Sequence, residues 1–456
     1  MYARGSSSDL REDLSSQLFS LRSALARTRF NYYVSLTRSR TTPWYLLMLG
    51  LIPVVAAFTN RIWRDSEIFG TSPNELATFA LLTLAVALWF PYKNPVDSYR
   101  SLRLFLGLWI FAWALAALTG FRGTQEWVTA LPEILIIPTA ALLIAWKPPS
   151  AHGALWVAKT ISVTLATFVF IIWLLERWGE IWYWQQPPDV VAQETAQYWL
   201  FLNPYLDVEG RWFGLLDHPN DTALWTAAGT LIAVGTRAWK SAAVLGIATL
   251  LTGSRTSLLA LLLGLAVLAA YQAPLKRLGK IQRRSLVVVG AGLLVLAFSS
   301  VLILNPSLTG RTSAWSTYWA LGLESPYFGV GDSGLSEALA SGQLQPWAGH
   351  AHNLVLDIFV RFGSITLLVV ISAVVIGLVL VFRGVQSNAG LALAITVLLS
   401  TVSVTERIYD PRWFSFTIAA FWLAVLMSRQ SPDRSDEPLT ERATVPHLAA
   451  SSARLK

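Results

Sequence analysis

The chain has 456 residues, 54% hydrophobic and only 14% charged, with 21 Trp and a mean hydropathy of +0.50. A soluble domain carries about 25% charged residues, so this composition excludes an ordinary soluble domain and points to a polytopic membrane protein. There is no cysteine, which excludes a disulfide framework, thiolate chemistry and Cys-ligated zinc, and the net charge of +8 reports topology rather than a nucleic-acid partner.

Residues 1–42 form a basic, polar N-terminal tail, expected in the cytosol, where it meets anionic lipid or serves only as a topology signal. The first apolar run begins near Pro43, so no cleavable signal peptide is expected. The membrane domain covers 43–428, and 429–456 form a polar cytosolic C-terminal tail. A span needs roughly 20 apolar residues, with shorter cores extending into their flanks. The cores at 44–59, 76–91, 104–119, 131–146, 155–175, 222–236, 241–252, 256–271, 286–304, 364–382, 390–404 and 413–428 predict about twelve transmembrane helices. The pair at 241–271 reads either as two spans or as one helix interrupted at "TGSRTS".

With the N-terminus inside, most of the 35 Lys and Arg fall on the cytosolic side, and "APLKRLGKIQRRS" (273–285) anchors that topology. The cations left outside are all arginine, among them Arg211, Arg255, Arg311, Arg361 and Arg412. Arginine grips phosphate bidentately and keeps its charge when desolvated, so an external anion site is one reading. Snorkelling to lipid headgroups is the other. Two long external loops, 176–221 and 305–363, are rich in Trp and Tyr, as suits a membrane interface. No internal repeat supports an inverted-repeat transporter.

The external segments carry the polar constellations. "EGRWFGLLDHPNDTALW" (209–225) places Arg211, Asp217, His218 and Asn220 before a span, with Asn220 or Asp221 expected to cap a helix starting at Thr222. "LLTGSRTSLLALLL" puts Arg255 between two apolar runs, with Ser254 or Thr256 as a cap. A charge so near membrane depth is a functional hypothesis by default. In "LTGRTSAWSTYWALGLESPYFGVGDSG" (308–334), Thr312 or Ser313 starts a short helix. The spacing of Trp315, Tyr318, Trp319 and Gly322 lays that helix flat on the membrane, with Arg311 at its N-terminus. "GHAHNLVLDIFVRFG" (349–363) then brings two of the five histidines, His350 and His352, to a helix mouth. A metal there needs a further ligand such as Asp332, Asp357 or His218, which the spacing does not demand. The other readings are a satisfied interfacial histidine and a general base beside external arginines.

The pattern His352, Asn353, nine residues, Gly363 resembles the O-antigen ligase and O-antigen polymerase superfamily. "GRTSAW" followed by "SPYFGVG", "GRWFGLLDHPNDTA" and the "GSRTS" turn resemble three further segments of that family, so the resemblance covers about 200–425. Many ligases continue the last motif as Gly-x-x-Gly-Thr-Thr; this chain reads "GSITLL", with Ile365 and Thr366, which favours a polymerase or a generic polysaccharide ligase. The resemblance implies an integral-membrane glycosyltransferase of the GT-C-like kind in the bacterial inner membrane, without metal or other cofactor. It implies transfer of a glycan from an undecaprenyl-diphosphate carrier to a lipid, polysaccharide or other hydroxyl acceptor on the outer face. By the same resemblance Arg211, Arg255 and Arg311 bind the diphosphate, Arg311 also assisting catalysis, and His352 takes the acceptor proton. Asn353, His350 and Asp332 support the site. Two alternatives stand beside it. One is a transporter or flippase for polyisoprenoid-linked sugars. The other is a SEDS-type peptidoglycan glycosyltransferase, which expects a functional external carboxylate at Asp332 or Asp217.

Overall fold

The computed structural model describes residues 42–63, 73–92, 100–120, 134–178, 212–272 (except 213 and 217), 290, 292, 311–344, 351–383, 388–406, 408 and 410–428. Both tails, the span expected at 286–304 (except 290 and 292), Arg211, Asp217 and His350 lie outside the described residues, as does the side chain of Arg311.

Among the described residues every element is a helix. In chain order they are α1 Trp44–Trp63, α2 Pro73–Trp89, α3 Arg100–Gly120, α4 Ile136–Trp146, α5 Ala151–Trp178, α6 Pro219–Gly235, α7 Trp239–Leu251, α8 Arg255–Gln272, α9 Arg311–Glu324, α10 Gly331–Ala340, α11 Leu354–Arg383, α12 Ala389–Ser403 and α13 Phe416–Met427. Within the same residues five helices are long and apolar enough to cross a membrane: α1, α3, α5, α8 and α11. Helices α2, α4, α7, α12 and α13 are apolar but shorter.

The burial pattern explains the layering. Helices α12 and α13 are buried on nearly every side, and α6 carries Ala223, Ala227, Ala228 and Gly229 in its buried wall. Small residues let helix backbones approach closely where lipid gives no hydrophobic drive between helices. At Gly264 of α8 a Cβ would meet Leu231 of α6 at 2.6 Å and the Ala394 carbonyl of α12 at 3.2 Å. Around this centre the outer helices leave large apolar side chains uncovered: Leu118 is 70% exposed, Leu262 63% and Leu368 64%. Water would penalise such a belt, whereas a bilayer's hydrocarbon matches it.

The 241–271 stretch is two helices, α7 packed on α6 and α8 packed on α12, parted at Gly253 (φ 62°). The segment 305–363 is not mainly loop. It holds α9, α10 and the first turns of α11, which begins at Leu354 rather than near 364. The nine residues between Asn353 and Gly363 are therefore helical, and Gly363 (φ 79°, ψ 174°) bends the helix instead of opening it. Helix α9 packs against α11, with Tyr318 fully buried and the Trp319 ring tilted against Phe359 (centroids 5.1 Å apart). Its aromatic spacing thus serves packing at Tyr318, while Trp319 keeps 55% of its surface exposed.

Hydrogen bonds across the bend show what replaces the helical ones. A straight helix would bond Ser364 N–H to the Val360 carbonyl. Here Ser364 N–H donates to Pro326 O (2.8 Å), Ile365 N–H to Tyr327 O (3.4 Å), and Val330 N–H donates to the vacated Val360 O (2.8 Å). The 326–330 turn is thus inserted into the opened helix. Broken helices are tolerated at membrane depth where protein satisfies the freed groups in this way. The insertion needs glycine on both sides. A Cβ on Gly363 would run into the Tyr327 carbonyl, and one on Gly329 (φ 73°) into the Arg361 carbonyl. Gly363→Ala is expected to cost at least about 2 kcal/mol, from positive φ together with the backbone clash, and to lower the thermal midpoint of the detergent-solubilised protein.

Candidate functional site

The helix ends sort into two layers. One layer holds Tyr45, Trp89 and Lys147: Tyr45 Oη donates to Lys147 O (2.5 Å), and Lys147 Nζ donates to Trp89 O and Phe90 O (both 3.1 Å). The opposite layer gathers the buried charges of the described residues: Arg61, Glu176, Asp357, Arg361, Glu406, Asp410 and Arg412.

His352 stands just before α11 with φ 49°, one of two described non-glycine residues at positive φ. That conformation costs roughly 1–2 kcal/mol for an ordinary side chain. Its surroundings enforce it. Asn353 caps α11, accepting from Leu356 N–H through Oδ1 (3.0 Å) and donating through Nδ2 to Val404 O (2.9 Å). Trp315 of α9 donates from its indole N–H to Ala351 O (2.8 Å), and Ala351 N–H donates to Asp357 Oδ1 (3.3 Å). The imidazole is 11% exposed, and its Nδ1 lies 3.3 Å from Glu406 Oε2. The other Glu406 oxygen accepts from Asn220 Nδ2 (2.8 Å).

Asn220 is therefore not the cap of α6. The helix begins three residues earlier than expected, at Pro219, and His218 caps it by accepting from Asn220 N–H (3.2 Å). Pro219 fits that first helical position because its missing N–H has no helical partner there. The cap leaves the Asn220 side chain to reach α12's end.

A second group lies beside it. Arg361 pairs with Asp357 (3.2 Å) one turn back on α11 and with Asp332 on α10. Arg412 grips Asp410 through Nε (3.0 Å) and Nη2 (2.8 Å), and reaches the other Asp332 oxygen through Nη1 (2.5 Å). Its guanidinium also lies over Phe362, 5.0 Å from the ring centroid. Burial opposes the Arg412 charge, but the hydrogen bonds and charges of Asp410 and Asp332 outweigh it and raise its pKa above the ordinary arginine value. Asp332, one of the two carboxylates offered for the peptidoglycan-transferase alternative, is thus shared between two guanidiniums.

A third tie fixes Trp212. Glu176 at the end of α5 accepts from Arg61 Nη2 (3.1 Å) and from the Trp212 indole N–H (2.7 Å), and Trp212 N–H donates to Leu251 O (3.1 Å). Residue 212 therefore sits beside the 252–254 turn that leads to Arg255. Ser254 stands immediately before α8, its hydroxyl donating to Ser257 Oγ (3.2 Å), and the Arg255 side chain is exposed. An apolar cavity of about 220 Å³ opens next to Trp413, lined by Pro53, Asn60, Thr78 and Trp225 among others. Among the described residues no group of three or more His, Cys, Asp or Glu side chains comes together as a metal ligand set. Asp357, Asp332 and His218, the expected further ligands, are each engaged in the contacts above.

Residues 241–371 match the family model for O-antigen ligase. The match spans α7 to the middle of α11 and contains Arg255, Arg311, Asp332, His352 and the Gly363 bend. It supports membership of the O-antigen ligase/polymerase family and, at that coarse level, a role in joining or polymerising surface polysaccharide on a lipid-linked substrate. No curated protein matches the chain significantly.

Sequence reasoning missed Glu406, Asp410 and the pairing role of Arg361 and Arg412. The signal was present. "TERIYDPRW" (405–413) sets four charged residues between two apolar runs, the same feature that marks Arg255. Arg412→Lys keeps the charge but cannot hold Asp410 and Asp332 together. It is expected to destabilise the protein by on the order of 2 kcal/mol, read as a lower thermal midpoint with no change in net charge.

Proposed function

We propose that this chain transfers or polymerises a surface polysaccharide at the outer face of the bacterial cell membrane, from an undecaprenyl-diphosphate carrier to a hydroxyl acceptor, with His352 as general base. The observation that carries this reading is His352 itself: a mostly buried imidazole held at positive φ, at the mouth of α11, against a carboxylate. Strained backbone maintained by its surroundings is a mark of functional positions. An imidazole suits proton removal from a sugar hydroxyl near neutral pH.

In this mechanism the leaving group is a diphosphate, and arginines stabilise its developing charge in place of a divalent ion. Arg211, Arg255 and Arg311 take that role. The tie of Trp212 to the turn before Arg255 supports two of them acting together. The N-terminus of α9, where Arg311 lies, adds backbone N–H groups suited to an anion. The apolar cavity beside Trp413 suits the first isoprenoid units of the donor. Both termini lie in the cytosol, twelve helices cross the membrane in a GT-C-like arrangement, and the charged layer faces outward.

The test uses purified, detergent-solubilised protein and an undecaprenyl-diphosphate oligosaccharide. His352→Ala is expected to abolish glycan transfer while remaining folded, and EDTA is expected to leave the wild type unaffected. Full transfer by His352→Ala would remove the base from the mechanism. A ladder of chain lengths growing with donor would mark a polymerase, and a single addition to a separate acceptor a ligase.

A further inference from the structure

We propose that Glu406 is the positioning residue for His352, fixing the imidazole tautomer so that Nε2 carries the lone pair that takes the acceptor proton. This rests on the reading of His352 as base. The two come from distant parts of the chain, His352 before α11 and Glu406 after α12. Both are largely buried, with side-chain exposures of 11% and 8%, and Nδ1 faces Oε2 at 3.3 Å.

The chemistry of the three groups decides the direction of each bond. Asn220 presents an Nδ2 donor to Glu406 Oε1 at 2.8 Å, which holds the carboxylate in place. An ionised carboxylate only accepts, so the ring nitrogen facing it is the protonated one. With Nδ1 as N–H, the basic lone pair lies on Nε2, because the hydrogen bond at one ring nitrogen sets the state of the other. When Nε2 takes a proton, the carboxylate also steadies the cation that forms. The positive φ of His352 is part of the same device: Asn353 bonds Val404 O, so α11's cap and the turn bearing Glu406 are held together.

Glu406→Gln separates the acceptor role from mere packing. An amide has one acceptor oxygen and one donor nitrogen, so it cannot present an acceptor at both of the positions that the carboxylate oxygens offer to Asn220 Nδ2 and His352 Nδ1. If its oxygen stays on Asn220, its NH₂ turns to Nδ1 and reverses the tautomer. Volume and shape barely change.

The experiment measures kcat and KM for donor, thermal midpoint, and imidazole ¹⁵N shifts in detergent micelles for wild type, Glu406→Gln, Glu406→Asp and His352→Ala. The His352 signals are assigned by their loss in His352→Ala. In the wild type the shifts are expected to report the Nδ1–H tautomer. Glu406→Gln is expected to lower kcat by on the order of 10²-fold with KM within about twofold, and to shift the tautomer toward Nε2–H. Glu406→Asp keeps the acceptor and should retain the tautomer with an intermediate kcat. Wild-type kcat in Glu406→Gln, or a lost kcat with an unchanged His352 tautomer, would overturn the proposal while leaving His352 as base. An active His352→Ala would remove the base reading itself, a separate outcome.

Discussion

The opened hydrogen bond between Val360 and Ser364 is the constraint on which the charged layer depends. Both halves of that bond are taken by the 326–330 turn, so the turn cannot slide along α11 without breaking both hydrogen bonds. Pinning the turn also pins the start of α10. Asp332 comes two residues after Val330 and arrives beside Arg361, the residue next to Val360 on α11. Backbone pairing therefore fixes an ion pair, and the ion pair brings in Arg412 from the far end of the chain.

Buried charge is expensive, and several of the charged groups here meet more than one partner. Glu176 uses both oxygens, on Arg61 and Trp212, and Glu406 uses both, on Asn220 and His352. Asp332 spans two guanidiniums. A buried pair stabilises only when its remaining donors and acceptors are also satisfied, which explains why these groups come as networks rather than as isolated bridges. Each network also joins segments far apart in sequence: α1 to α5, α6 to the end of α12, α10 to the 410–413 segment. Helix packing alone gives little register in lipid, because the apolar faces slide without hydrophobic cost. The polar ties at the helix ends supply that register.

Much of this architecture is legible in the sequence. The apolar runs at 44–59, 155–175 and 256–271 each fall on a helix because length and composition dictate it. Both Gly363 and the "SPYFGVG" segment stand out, but as separate features. Their insertion, one into the other, is a tertiary event with no local signature. The same holds for the start of α11, since "LVLDIFVRF" carries Asp357 and Arg361 and so looks too polar for a span. In the fold those two charges pair with each other one helical turn apart. Glu406 stands out as a charge between two apolar runs, but its role does not: that lies in His352 and Asn220, 54 and 186 residues away in sequence.

The networks also discriminate among the arginines that the sequence places outside. Arg361 and Arg412 meet three carboxylates, Asp332, Asp357 and Asp410, so two guanidinium charges are already overbalanced. A diphosphate approaching them would face carboxylates at contact distance and lose more to repulsion than it gains. Those two arginines are therefore framework, holding α10, α11 and the start of α13 together. Arg61 is framework too, committed to Glu176. Arg255 differs: it begins α8, its side chain is exposed, and it comes after a turn tied by backbone to residue 212. Among these described arginines, exposure thus favours Arg255 for the proposed diphosphate site.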